Sequence, residues 1–263
     1  MTDILVAKDV SKTYFDTVEK DNVVALQGLS LSVRANEFVS VIGPSGCGKS
    51  TFLRIVAGLD RPTSGEILVS GNKVTGPGAD RGMVFQEYAL LPWKTTEANI
   101  EFGLRLKGMD KAQRQQITQR FVDLVGLTGF EKKYPHQLSG GMRQRAAVAR
   151  VLANNPTVLL MDEPFAAVDA MTRQRLQEEL TAITTLEQTT VLFITHAIEE
   201  AVFLSDRVIA LSGRPGRIVA DLVIDLPRPR KWEDVVRDGR FASYRDQLTH
   251  SIHANGHARA VST

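Results

Sequence analysis

The sequence of 263 residues contains a single cysteine, Cys47, which excludes an internal disulfide and fits a reducing compartment. It also lacks an excess of either charge. The 32 basic and 30 acidic residues leave a formal net charge of +2, so nothing supports a surface that coats nucleic acid or seeks an acidic partner. No uninterrupted apolar run approaches the roughly 20 residues needed to cross a bilayer. The opening residues, Met-Thr-Asp-Ile-Leu-Val-Ala-Lys-Asp, lack the basic region, long apolar stretch and small-residue cleavage site of a signal peptide. No internal repeat is present. The expectation is a soluble, cytoplasmic chain whose only route to a membrane is a partner.

What is present is ordinary globular material: 43% hydrophobic and 24% charged residues, in a chain long enough for one large domain or two intimate lobes. Leu29, Leu31 and Val33 alternate with polar residues as in a half-buried strand, and Phe38 to Ile42 is a short apolar run that stops at Gly43. Phe52, Ile55, Val56 and Leu59 then recur at helical spacing, with Gly58 near the stop. Further strands are expected at Ile67 to Val69, at Met83 to Phe85 (buried, ending at Gln86), and at Val158 to Met161, Val191 to Thr195 and Val208 to Leu211. Glu87 to Asn155 is mostly helical in pattern, including Lys111 to Val125, where Ile117, Phe121, Leu124 and Val125 share a face. A polar helix is expected over Ala170 to Leu186. The pattern is that of a strand-and-helix nucleotide-binding core interrupted by a helical lobe. Pro227-Arg-Pro-Arg230 reads as a breaker. Phe241, Tyr244, Leu248 and Ile252 outline a short amphipathic helix, with a frayed tail from His253.

Three segments carry chemistry. Gly43-Pro44-Ser45-Gly46-Cys47-Gly48-Lys49-Ser50-Thr51 matches the phosphate-binding loop pattern and lies between an expected strand and an expected helix. Glycines let the backbone wrap a phosphate chain, and the helix-start amides point at the anion. Lys49 adds a charge for the β- and γ-phosphates, and the Ser50 hydroxyl suits Mg²⁺. Val158 to Met161 runs into Asp162-Glu163, two carboxylates at the carboxyl edge of a sheet; Asp162 is assigned to the metal and Glu163 to the general base. His196 and Gln86 also stand at strand ends, although a lone histidine there is more often a structural hydrogen-bonder. Finally, Ser139, Gly140 and Gly141 precede a helix and would form a second anion site without a lysine loop, or a plain N-cap turn. Two anion-binding helix starts with one lysine loop read economically as a nucleotide held between two chains.

The phosphate loop, Leu138-Ser-Gly-Gly141, the strand ending in Asp162-Glu163, Asp169 and His196 occur in the order found in ABC-transporter ATPase subunits. The chain resembles that family from Val6 to about Leu226. The resemblance implies an α/β fold: a P-loop NTPase core with a mostly parallel sheet flanked by helices, an N-terminal antiparallel β region and an inserted helical subdomain. The expected division is an ATPase domain over residues 1–226, with the helical subdomain at about 87–155, then a C-terminal extension over 227–263. The resemblance further implies that Tyr14 stacks on adenine, although by itself Tyr14 is only an aromatic near a strand end. Gln86 is implied to contact Mg²⁺ and the attacking water, His196 to hold the γ-phosphate, and Asp169 to lie at a dimer interface. The family's Ser-Ala-Leu-Asp reads Ala166-Ala-Val-Asp169 here, which puts the first positions of that loop in doubt.

Within the family, Tyr88-Ala-Leu-Leu-Pro-Trp-Lys94, Ser212-Gly-Arg-Pro-Gly-Arg-Ile218 and Leu226-Pro-Arg-Pro-Arg230 resemble the nitrate, sulfonate, taurine and bicarbonate importer ATPases. That implies ATP and Mg²⁺ as cofactors, a homodimer of ATPase subunits, two transmembrane permease subunits, and indirectly a periplasmic or lipid-anchored solute-binding protein. Nucleic acid is not an implied partner. The implied location is the cytoplasmic face of the bacterial inner membrane, as a peripheral subunit. Leu90, Leu91, Pro92 and Trp93 either face the groove for a permease helix or simply pack the lobe. Cys47, at a helix start beside Lys49, is expected to be a reactive thiol that labelling would expose and Mg-ATP protect.

Overall fold

A computed structural model describes residues 2–256 apart from 18, 19 and 167, with the side chains of 255 and 256 also left aside. Two sheets divide the strands. The first is antiparallel, in the order β2-β1-β4-β5, from β1 (Asp3–Asp16), β2 (Asp21–Arg34), β4 (Ser64–Val69) and β5 (Asn72–Lys73). The second has the order β10-β9-β3-β8-β7-β6. It comprises β3 (Phe38–Ile42), β6 (Arg81–Val84), β7 (Val158–Asp162), β8 (Thr190–Ile194), β9 (Arg207–Leu211) and β10 (Ile218–Val223). All its pairings are parallel except that of β10, an antiparallel edge strand.

The apolar runs of β3, β7, β8 and β9 are continuous because both faces of this sheet are covered. Alternation then sorts them. Phe38, Leu159, Met161, Val191, Phe193, Val208 and Ala210 join one core with the helical lobe and the C-terminal helices. Val39, Val41, Val158, Leu160, Leu192, Ile194, Ile209 and Leu211 join a second core with the antiparallel sheet. Helix α1 (Lys49–Val56) is buried in that second core through Phe52, Leu53, Ile55 and Val56. The phosphate loop is thereby pinned between two sheets.

The lobe is built from α2 (Thr96–Leu106), α3 (Lys111–Leu124) and α4 (Gly140–Leu152). Asp110 caps α3 by accepting from the backbone N–H groups of Ala112 and Gln113 at 2.9 and 3.1 Å, which satisfies two orphan donors. Helix α5 (Ala170–Leu186) has the bounds expected from its sequence, and α6 (Ile198–Leu204) follows β8. These features match the expected fold class.

Several local expectations need correction. The segment at Met83 to Phe85 is not a buried strand: β6 is Arg81–Val84, Val84 is its only buried residue, and Phe85 is exposed. Strand β4 begins at Ser64 and joins the antiparallel sheet, because its register follows β1 rather than the nucleotide-binding core. After the Pro-Arg-Pro-Arg breaker, α7 (Trp232–Arg237) and α8 (Gly239–Gly256) form, so the helix passes His253 instead of fraying there; residues 257–263 lie outside the described residues. The breaker is also firmly anchored. Buried Arg230 donates to the carbonyls of Val202, Phe203, Ser205 and Leu226, and Arg228 to Leu204 O, so two cations close the C-terminal end of α6. Burial among neutral carbonyls pulls the Arg230 pKa down to about 10.

Candidate functional site

Strand β3 lies between β9 and β8, so the loop after it opens at the carboxyl edge of the sheet. Gly48 caps α1 at φ 101°, a left-handed conformation. A Cβ there would stand 2.7 Å from Leu26 Cδ2 and 2.8 Å from Ala25 O, so both the backbone angle and the close packing on β2 require glycine. With no side-chain cap, the first N–H groups of α1 remain available to an anion. Lys49 is 5% exposed, and its ammonium donates to Gly43 O at 2.9 Å and Pro44 O at 3.0 Å. Those two bonds fix it beneath the loop and leave one of three donors to spare.

Beside it, Ser50 Oγ donates to Asp162 Oδ1 at 3.0 Å, joining α1 to the end of β7. Burial pushes the Asp162 carboxyl above its ordinary range; the Ser50 hydrogen bond works against this and the neighbouring Glu163 charge adds to it. A carboxylate so placed favours a cation. The next residue, Glu163, adopts φ 43°, a strained conformation for a residue with a Cβ, and its N–H donates to Ile194 O at 3.0 Å. The turn carries its carboxylate to the end of β8, where Oε2 lies 2.8 Å from His196 Nδ1.

A groove of about 290 Å³ is lined by Tyr14, Ala25, Ser45, Gly46, Gly48, Lys49, Ser50, Thr51, Glu163 and Arg214. Tyr14 stands at the end of β1 with its hydroxyl donating to Asp60 Oδ2 at 2.7 Å, and the Lys12 ammonium 4.7 Å from the ring centre. The structure therefore gathers Tyr14, the phosphate loop, Asp162, Glu163 and His196. It does not bring in Ser139, Gly140 or Gly141, none of which lines this groove. Ser139 instead caps α4 by accepting from Met142 N at 3.3 Å. Asp169 caps α5 at Thr172 N, and hydrogen bonds to that first turn hold its carboxyl below the usual range. Gln86 is exposed beyond the end of β6.

Cys47 departs from expectation. It is 1% exposed, sits in the core under the phosphate loop, and burial pushes its thiol up despite the charge of Lys49. A reactive thiol is excluded because the side chain turns away from the anion side; only its backbone belongs to the loop. Arg214 and Ala25 line the groove although no motif singled them out. The signal for Arg214 was the Ser212 to Ile218 loop, which had been read only as a mark of kinship.

Comparisons with known proteins identify the family and the fold. The ABC transporter family matches residues 26–166. An ABC transporter ATP-binding protein of Methanocaldococcus jannaschii is 55% identical over 228 residues, covering 87% of this chain and 84% of that protein. The nitrate import ATP-binding protein NrtD of Synechocystis sp. is 49% identical over 237 residues, 88% of this chain and 89% of that protein. The bicarbonate transport ATP-binding protein CmpC of Synechocystis sp. is 42% identical over 252 residues, 95% of this chain but 38% of that protein. The dimeric, post-hydrolysis structure of the ATP-binding cassette MJ0796, bound to ADP and Pi, superposes with a TM-score of 0.73 at 33% identity, covering 85% of this chain and all of that one. The chain belongs to the ABC transporter family, as an ATP-binding subunit that hydrolyses ATP.

Proposed function

We propose that the chain is the ATPase subunit of an importer, working as a homodimer that couples ATP binding and hydrolysis to uptake of a small anionic solute through a membrane permease. The observation that carries this reading is the Glu163–His196 contact beside a phosphate loop whose Ser50 is tied to Asp162. Nitrate, sulfonate, taurine or a similar anion is the proposed solute class, supported by relatives named for nitrate import and bicarbonate transport. The proposed partners are two permease subunits and, through them, a periplasmic or lipid-anchored solute-binding protein. The proposed location is the cytoplasmic face of the inner membrane; among the described residues no helix is long and apolar enough to cross it. In this reading residues 1–226 form the ATPase domain, with the helical subdomain at about 87–155, and residues 227–263 an extension.

Each residue has a role in this reading. Backbone amides from Gly43 to Thr51, all but that of Pro44, which has no N–H, cradle the phosphates, while Lys49 supplies charge. Tyr14 offers its ring to the adenine. Ser50 and Asp162 are hard oxygen donors 3.0 Å apart, and the buried carboxylate favours a cation, so the pair fits Mg²⁺. When bound, Mg²⁺ would neutralise charge on the β- and γ-phosphates. Glu163, held by its backbone bond to Ile194, accepts a proton from the attacking water. His196 Nδ1 lies against Glu163 Oε2, which leaves Nε2 as the ring atom that donates to the γ-phosphate when it carries a proton. Gln86 is the proposed contact to metal and water from the lobe side, and Asp169 an interface residue. Ser139, Gly140 and Gly141 of one chain meet the phosphates of the other.

The reading is tested by reconstituting the chain with its permease and binding protein and measuring ATP turnover with solute uptake. Uptake of a small anion that stops in the Glu163→Gln protein supports it. ATP turnover that never couples to uptake of any such anion would remove the importer role.

A further inference from the structure

Arg214 has no assigned task, yet its side chain lines the same groove as Lys49 and Glu163. We propose that Arg214 is a second cation of the nucleotide site, binding the phosphate chain of ATP from the same protomer; this rests on the nucleotide-site reading above.

The loop that bears it is built onto the phosphate loop. Gly216 N–H donates to Ala25 O at 2.9 Å, and Gly216 O accepts from Gln27 N at 3.0 Å, so the loop is stitched to β2. A Cβ on Gly216 would lie 2.2 Å from Cys47 O, which leaves room only for glycine where the loop meets the backbone of the phosphate loop. Ser212 ties the near side: its hydroxyl donates to the Gly213 and Pro215 carbonyls and accepts from Arg217 N, each at 3.0 Å. Arg217 in turn donates to Gln27 Oε1.

Within this fixed loop the two arginines differ. Arg217 is spent on Gln27, whereas Arg214 makes no hydrogen bond or ion pair with any described residue. Its backbone lies two residues from the point where Gly216 meets the carbonyl of Cys47 in the phosphate loop, and it shares the groove with Lys49, Ser50 and Glu163 as well as Tyr14. The one carboxylate lining the groove, Glu163, already pairs with His196. An unpaired guanidinium lining a groove with helix-start amides and a lysine selects an anion that presents two oxygens side by side to its fork, as a phosphate group does.

The test uses the full chain and fluorescent analogues of ATP, ADP and adenosine. Arg214→Ala is expected to weaken ATP-analogue binding about 5-fold, between the value of an exposed ion pair and that of a charge-assisted hydrogen bond. ADP should lose less, adenosine nothing, and Arg214→Lys should recover part of the loss. Arg217→Ala removes the same charge from the same loop and should leave affinity unchanged, which separates contact from long-range attraction. Equal losses for ATP and adenosine, or equal losses in the two alanine variants, would overturn the proposal. So would unchanged ATP affinity in Arg214→Ala while Lys49→Ala still weakens binding. Should Lys49→Ala also bind normally, the nucleotide-site reading beneath it has failed as well.

Discussion

Helices α1 and α4 both begin on glycine-rich turns, but they begin differently. Helix α1 has Gly48 as its N-cap, no capping side chain, Lys49 as first residue, and the carboxylates of Asp162 and Glu163 nearby. Helix α4 has Ser139 as its N-cap, which satisfies one of its own N–H groups, and neither a cation nor an acid in its first turn beyond Arg143. Arg143 itself is turned back onto the Leu138 carbonyl at 2.8 Å. The first helix start is thus a complete phosphate site. The second offers amides and a hydroxyl but no metal-binding or basic carboxylate, and lies outside the groove of its own chain. In the proposed homodimer, α4 is half a site, and its other half is α1 of a second copy.

The comparison can be broken at four strengths. Glu163→Gln keeps shape but removes the basic carboxylate, so steady-state turnover should fall by about 10²–10⁴-fold while ATP binding survives. Near-normal turnover would remove chemistry from the α1 side. Lys49→Ala should weaken nucleotide binding by roughly 10- to 100-fold in titrations, the value of one or two charge-assisted hydrogen bonds.

Ser139→Ala sharpens the contrast when set against Asp110→Ala. Each removes an N-cap and should cost about 1 kcal/mol in denaturant unfolding. Only Ser139→Ala should also lower turnover, because Asp110 caps a helix far from any nucleotide. Equal turnover in the two variants would reduce Ser139 to a cap. The smallest effect belongs to Cys47. Maleimide should label the native chain slowly, at the same rate with and without Mg-ATP, since the thiol is buried under the loop in either case. Fast labelling blocked by Mg-ATP would put the thiol on the anion side after all.

Much of this was legible in the sequence, for reasons that differ by residue. The apolar runs of β3, β7, β8 and β9 announced themselves because a strand covered on both faces has no polar interruptions. The groups at their ends, Lys49, Asp162, Glu163 and His196, followed from that placement. Strand β6 was misjudged because Met83 and Phe85 are apolar in sequence, yet Met83 only partly packs against the second core and Phe85 lies exposed past the strand's end. Cys47 was misjudged because neighbouring charge is visible in sequence and burial is not; its side chain sits in the second core, so close to Gly43 that a Cβ there would lie 2.9 Å from its sulfur. Pro227 to Arg230 was read only as a breaker and a mark of kinship. The carbonyl partners of Arg228 and Arg230 on α6 are 24 to 28 positions away and could be found only in three dimensions. Arg214 escaped for the same reason.

The claim that the nucleotide site is completed by a second copy has one direct test. Light scattering on the Glu163→Gln protein, with and without Mg-ATP, reads the mass of the species in solution. Because each ATP adds contacts only across the interface, the account predicts a monomer without nucleotide and a dimer with it, and loss of that dimer when Ser139→Ala is added. A mass that does not change with ATP, in a protein shown by titration to bind it, would contradict the account.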